Sequence, residues 1–504
     1  MDLPSLSVAE PRGASTGARL TAARPTTYAL PMASIDKVAT SAAAALADVA
    51  DGAQILLGGF GVIQGWPTSL IKALRAHGVR DLTLICNTPG VGPTSPQILA
   101  ESGQVSTLVA SYAAYPTRPT PMEAAIKAGR VQLELVPQGT LVERVRAGGA
   151  GLAAFYTPTG VGTGAAAGKE ERAFDGRRYV LETAIRADFA LLRAAKADRY
   201  GNVVYRGGSR NFNPLFATAA RTTVIEVDEI VEPGEIDPEA VVTPHIFVDR
   251  VVRNEHPLDR EAIRELSRRY GKQWRLEART SEGSPQGLPP ELMARRAALL
   301  LHPGEYVNLG LGIPTLISSF IDPDRHITLH SENGMLGFGP LAGEGQEDVD
   351  LYNASGQLVC ALPGASYFHS ADAFAMARSG RVTTVVLGGF QVSETGDLAN
   401  WHVPHTGVGG IGGAMDLAAG NARIIALMFH VARDGAAKLL RQCTYPLTAM
   451  RCVSTVVTDL AVIDIDADGF LLRECAPGVS LDDIRRVTAA PLRVASDVCE
   501  MQFG

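Results

Sequence analysis

Short apolar runs alternate along this chain with longer stretches of helical period. Residues 54–57, 82–85 and 222–227 read as strands in the first half, and 327–329, 382–387 and 422–427 read the same way in the second. Near-continuous leucine and β-branched runs suit strands covered on both faces, so parallel sheets are expected. Stretches such as 69–76 and 372–378 fall between them with helical spacing. The alternation predicts an α/β fold.

The pattern also repeats. Gly58-Gly59-Phe60-Gly61 precedes Trp66-Pro67-Thr68-Ser69-Leu70-Ile71, and Asn308-Leu309-Gly310-Leu311-Gly312 precedes Ile313-Pro314-Thr315-Leu316-Ile317. Some way on, Asp81-Leu82-Thr83-Leu84-Ile85-Cys86-Asn87 matches His326-Ile327-Thr328-Leu329-His330-Ser331-Glu332. Two matches in the same order, both offset by about 250 residues, make a duplicated unit. Two homologous open-sheet domains in tandem are therefore expected, at residues 34–260 and 291–500. A charged, poorly patterned segment at 261–290, ending in prolines, reads as the linker. The superposition sets Asn87 opposite Glu332, so only the second copy carries a carboxylate there.

Composition narrows the classes. A chain of 504 residues is too long for one ordinary core. Its net charge of −7 is small and its basic residues are scattered, which argues against a nucleic-acid partner. No apolar run is long enough for a membrane span. Cys86, Cys360, Cys443, Cys452, Cys475 and Cys499 form no C-x-x-C pair, so free thiols in a reducing compartment are expected. Residues 1–33 contain Pro4, Pro11, Pro25, Pro31 and three arginines. Asp2 and Glu10 speak against an organelle leader, so a disordered extension and a cytoplasmic location are expected ahead of the mitochondrial matrix.

Candidate chemistry centres on Ser331-Glu332-Asn333-Gly334. A carboxylate at the end of an apolar strand, before a glycine-rich turn, can attack an acyl donor where water is excluded. Gly310 and Gly312 lie in a turn that lets backbone approach an anionic ligand, although no G-x-G-x-x-G follows. Residues 407–413 hold five glycines in seven positions, and their amides can face a developing oxyanion. His402 and His405 lack a third ligand and have Pro404 between them, so no metal site is expected. No G-x-S-x-G elbow is present.

Several strings resemble the family I CoA-transferases, in particular the branch that fuses both halves and acts on 3-oxoacids. They are Ser331-Glu332-Asn333-Gly334, Leu362-Pro363-Gly364-Ala365-Ser366-Tyr367-Phe368, Gly396-Asp397-Leu398-Ala399-Asn400-Trp401 and Gly412-Gly413-Ala414-Met415-Asp416-Leu417. Pro137-Gln138-Gly139-Thr140-Leu141 adds to them in the first half. The resemblance implies two tandem CoA-transferase domains and a ping-pong exchange of coenzyme A between an acyl-CoA and a carboxylic acid through a glutamyl-CoA thioester. It implies Glu332 as nucleophile, with Gly413, Ala414, Asn308 and Glu101 at the acyl site. Gly310, Gly312, Asn333, Gly334, Gly409 and Gly412 are the expected coenzyme A contacts. No metal or other cofactor is implied beyond the coenzyme A thioester as substrate, and a homodimer or homotetramer is expected.

Three departures concern the acid. The chain reads Asn353-Ala354-Ser355-Gly356 where relatives carry a lysine, Trp66-Pro67-Thr68-Ser69 in place of Ile-Pro-Glu-Asn, and Glu101 where glutamine is usual. An acid pair other than succinate and acetoacetate is expected. An acyl-CoA hydrolase and a non-catalytic small-molecule-binding protein are the competing readings.

Overall fold

A computed structural model describes residues 35–61, 64–114, 119–257, 261–262, 265, 286–404 and 407–504. The expected disordered extension at 1–33 and most of the 261–290 linker lie outside the described residues. The last residues of that segment pack on the second half, where the Leu288 amide donates to the Asp459 carbonyl at 2.9 Å.

The first half builds its sheet from strands that follow the apolar runs. These are β1 (Gln54–Leu57), β2 (Leu82–Cys86), β3 (Val105–Ala110) and β4 (Gln132–Leu135). A three-stranded antiparallel sheet follows, of β5 (Ala154–Thr157), β6 (Glu171–Phe174) and β7 (Arg177–Thr183). The chain then returns through β8 (Ala187–Asp198), β9 (Val203–Val204), β10 (Ala220–Val231) and β11 (Arg250–Arg253). The order is β11-β10-β8-β1-β2-β3-β4, with β9 against β8. Pairing along that path is parallel. Ile55, Leu56, Leu57, Leu84, Leu108 and Leu191 are fully buried, as central parallel strands require.

The second half repeats the middle of this sheet and extends it. β12 (Tyr306–Leu309), β13 (Thr328–Ser331), β16 (Thr384–Leu387), β19 (Arg423–Leu427) and β21 (Val453–Val457) pair in parallel. Around them run β14 (Met335–Leu341), β15 (Val359–Tyr367), β22 (Ala461–Asp466), β23 (Gly469–Cys475) and β24 (Leu492–Glu500). The order is β15-β14-β13-β12-β16-β19-β21-β22-β23-β24, and β17 (Gln391–Ser393), β18 (Leu398–Ala399) and β20 (Leu439–Leu440) form a small separate sheet. The β13–β14, β14–β15, β21–β22 and β22–β23 pairs are antiparallel, so the expectation of parallel sheets holds for the main path of the first sheet and needs correcting in the second, as it does for the small β5–β7 sheet and the β8–β9 pair of the first half. The cause is local. Glu332-Asn333-Gly334 is a three-residue hairpin turn, and it sends the chain straight back along β13.

Strand bounds and register are consistent with the duplication: β1 and β12 are both four-residue strands with one exposed and three buried positions. Leu56 pairs with Ile85 and Ala190, as Asn308 pairs with His330 and Val385. Carried across the sheets, this overlay sets Asn87 on Glu332, Arg193 on Gly388 and Glu226 on Leu427. One apolar core cluster draws on both halves, with Leu56, Phe212 and Ile225 beside Tyr352, Phe374 and Val385. Among the described residues no helix is long and apolar enough to cross a membrane.

Candidate active site

Glu332 is the first residue of the three-residue turn joining β13 to β14. Ser331 pairs with Met335, and the Gly334 amide closes the turn on the Ser331 carbonyl at 3.0 Å. Gly334 has φ +102°, and a Cβ there would lie 1.9 Å from the Phe368 carbonyl oxygen. Only glycine fits. Asn333 is fully buried and donates from Nδ2 to the Tyr352 carbonyl at 2.8 Å. Asn333 and Gly334 thus fix the tip, and Glu332 is the turn residue that remains to project.

Its surroundings are dry and poor in donors. Glu332 is 8% exposed, and Oε2 accepts from Asn308 Nδ2 at 3.3 Å. Among the described residues no basic side chain forms an ion pair with it. Burial pushes its pKa above the ordinary carboxylate range, opposed by a backbone hydrogen bond and by Asn308. Asn308 is stretched between acceptors, lying 3.1 Å from His330 Nδ1 and 3.3 Å from the His330 carbonyl. Burial drives the His330 pKa down to about 4, so the ring is neutral at pH 7. Phe368 stacks on it with centroids 6.3 Å apart.

The other expected residues divide into two groups. Gly310 and Gly312 follow β12 at the same carboxyl edge, where parallel sheets bind ligands. The Gly310 amide donates to the Val386 carbonyl at 2.8 Å, and Gly312 has φ +88° with open space beside its Cα. A 3-10 turn, Ile313–Ser319, follows in place of an α-helix. The glycine-rich loop docks instead on the first half. Gly410 bridges Tyr112, and the Gly412 amide donates to the Ser111 carbonyl at 2.9 Å while its carbonyl accepts from Gln138 at 2.9 Å. Gly409 has φ +74° and packs on Trp401 and His402. Gly413 precedes the short helix Ala414–Ala418, and a Cβ on it would meet Phe374 at 3.0 Å. Phe374 lies in helix Ser370–Arg378. His405 lies outside the described residues.

Glu101 is not brought here. It ends helix Gln97–Glu101, ahead of the amino end of β3, with its side chain 47% exposed and 3.9 Å from Arg75. Gln97, Ile98, Leu99 and Ala100 take the buried positions of that helix, which leaves Glu101 facing solvent. Gln138 is the glutamine that meets the glycine loop. It follows β4 and Pro137, is buried, and leaves Nε2 without a partner. Its place after a parallel strand was the available signal.

Buried polar atoms are normally partnered. Here Trp66 Nε1, Asn87 Oδ1, Ser111 Oγ and Gln138 Nε2 at the carboxyl edge of the first sheet lack partners in the structure. So do Asn308 Oδ1, His330 Nε2 and Ser331 Oγ around Glu332, and Ser355 Oγ. Such a concentration of unmatched neutral donors and acceptors fits a place where ligand groups complete the bonding.

A family model described as Coenzyme A transferase matches residues 39–254 and 291–486. The human succinyl-CoA:3-ketoacid coenzyme A transferase 2, mitochondrial, is 43% identical over 475 residues, covering 90% of this chain and 89% of that protein. Subunits A and B of the Pseudomonas putida 3-oxoadipate CoA-transferase are 47% and 45% identical, over 43% and 40% of this chain and 94% of each subunit. The fold matches an acyl-CoA transferase from E. coli O157:H7, solved as a thioester complex with CoA, at a TM-score of 0.74 and 20% identity over 93% of this chain and 96% of that one. The cytoplasmic expectation is overturned by these relatives, since the human and mouse proteins that match nine-tenths of the chain are mitochondrial. Two acidic residues among three arginines were too weak a signal to set a compartment.

Proposed function

The chain belongs to the coenzyme A transferase family, and from that premise we propose that it moves coenzyme A between an acyl-CoA and a 3-oxoacid through a covalent intermediate on Glu332. The carrying observation is a buried carboxylate held by one neutral side-chain donor. Poor solvation raises its energy as an anion, and that energy is recovered as it attacks.

A Glu332 oxygen attacks the thioester carbon, the C–S bond breaks, and coenzyme A leaves as thiolate. The resulting anhydride is attacked at the glutamyl carbonyl by the same thiolate. The acyl carboxylate departs and Glu332 holds a thioester. An incoming carboxylate reverses both steps, leaves as its CoA ester, and returns Glu332 to its starting form. Thioester energy survives only where water is kept out, which the burial of Glu332 favours. The Gly413 and Ala414 amides and Asn308 are the proposed partners of the acyl oxygen. Gly310 and Gly312 are the proposed coenzyme A contacts. The scheme uses no further cofactor. The Pseudomonas relatives are subunits by name, in keeping with an assembly, proposed here as a homodimer or homotetramer.

The unpaired groups of Trp66, Asn87, Ser111 and Gln138 are uncharged, which favours a donor acid without a second carboxylate. Incubation with an acyl-CoA and mass spectrometry of the intact protein tests the intermediate: a coenzyme A adduct on Glu332, absent in Glu332→Gln, is expected. An unmodified protein that still turns over would sink the reading. Turnover independent of added acid would assign a hydrolase instead. A clear preference for succinyl-CoA over short monocarboxylyl donors would refute the acid assignment.

A further inference from the structure

Asp416 is fully buried in the helix Ala414–Ala418, yet it is no surface cap. Its Oδ2 accepts the Gly139 amide at 2.8 Å, and Oδ1 accepts the Thr140 hydroxyl at 3.1 Å and the Thr159 hydroxyl at 3.0 Å. All three donors belong to the first half. Gly139 and Thr140 sit in the opening turn of helix Gln138–Gly149, whose N-cap residue Pro137 offers no side-chain bond. The carboxylate therefore satisfies an orphan amide of a helix in the other half.

The same turn holds the chain on the other side of the glycine pair. Gln138 donates its amide to the Gly412 carbonyl at 2.9 Å. Gly412 and Asp416 flank Gly413 and Ala414, and both are tied to three consecutive residues, Gln138, Gly139 and Thr140. The approach is close, since a Cβ on Gly139 would lie 2.7 Å from the Asp416 carboxyl carbon and 2.7 Å from Phe374. Arg378, the cation nearest in effect, is engaged by Glu143 at 3.2 Å. A buried carboxylate held by neutral donors is a costly way to join two surfaces that apolar side chains could join. What it adds is direction.

We infer that Asp416 is a positioning residue for acyl transfer, fixing the Gly413 and Ala414 amides by anchoring their helix to the first half. This rests on the proposed role of those amides at the acyl oxygen. Asp416→Asn removes the charge and one acceptor atom, so at least one of the three anchoring bonds is lost or must reverse its direction, which loosens the anchor. Losing a whole oxyanion donor costs about 10²- to 10³-fold, so a displaced one is expected to slow single-turnover formation of the Glu332 thioester by about 30-fold. Because the loss falls in the transition state, the KM for acyl-CoA stays within about threefold.

Rapid-quench mass spectrometry measures that rate, with circular dichroism confirming the folded state. Thr159→Val, which removes one donor and little volume, is expected to lower the same rate about threefold, a milder form of the same loss. A wild-type single-turnover rate in folded Asp416→Asn, or a raised KM with unchanged kcat, overturns the positioning role. Should Asp416→Asn not fold, wild-type rates in both Thr159→Val and Thr140→Val overturn it. Turnover surviving Glu332→Gln would instead sink the glutamyl reading itself, so the two failures are distinguishable.

Discussion

At the carboxyl edge of the second sheet stand Asn308, Glu332, Gly388 and Leu427; at the register-matched places of the first stand Leu56, Asn87, Arg193 and Glu226. Each edge buries one carboxylate, and burial raises the pKa of both. Their settings differ. Glu226 accepts the Ser69 and Leu70 amides at 2.7 and 3.2 Å, at the start of helix Thr68–His77, and feels the charge of Arg193. It occupies from within the kind of helix start that could bind an anion. Glu332 has one neutral side-chain donor, and the glycines at 310, 312 and 388 leave its edge without bulk. The same buried group serves the structure where the fold supplies its partners and serves chemistry where the fold withholds them.

The comparison breaks most directly at the nucleophile. Glu332→Gln keeps the shape and the Asn308 contact but removes the attacking charge, and kcat is expected to fall by at least about 10⁴-fold. Adding Asn87→Glu to that variant is expected to restore nothing, because Leu56 stands where Asn308 would hold the new carboxylate and no hairpin projects it. Steady-state transfer assays on the single and double variants check this. Recovery in the double variant would show that the two edges are chemically interchangeable.

Asn308 sharpens the contrast. Asn308→Leu imports the first sheet's aliphatic side chain and is expected to lower kcat by about 10- to 100-fold. It also predicts a direction in pH. Transfer needs ionised Glu332, so kcat/KM falls as pH drops through its raised pKa. The Asn308 hydrogen bond stabilises the anion, and its loss pushes that pKa higher. The acidic limb of the profile must therefore move to higher pH. An acidic limb that stays in place would mean that Asn308 acts on the acyl group and not on Glu332.

The duplication, and Glu332 as the one carboxylate of its matched pair, were legible because apolar strands and glycine turns recur in order. The glycine-rich turn after Glu332 was legible too, but not that it sends the chain back as an antiparallel strand. Gln138 and Asp416 stood inside quoted strings without a role, for their partners lie far off in sequence, Gly412 for one and Gly139 for the other. Glu101 failed for the opposite reason. The family resemblance alone suggested an acyl-site segment, while four buried neighbours on a short helix left Glu101 only the solvent side. Long-range pairing across the halves is what the linear pattern does not carry.

The smallest expected effect lies in the first edge and concerns stability. Burial outweighs Arg193 and raises the Glu226 pKa from 4.5 to about 7. Between those values the folded protein holds a proton that the unfolded chain releases, so stability falls as pH rises through this window. The loss is on the order of 3 kcal/mol across it. Glu226→Gln still offers an oxygen to Ser69 and Leu70 but cannot ionise, so its urea midpoint is expected to change less between pH 5 and pH 8 than that of the parent. Because Glu226 serves the fold, kcat in the variant should stay within about twofold. Equal pH slopes would mean that Arg193 keeps Glu226 ionised throughout, and a large fall in kcat would mean that the first edge takes part in the chemistry.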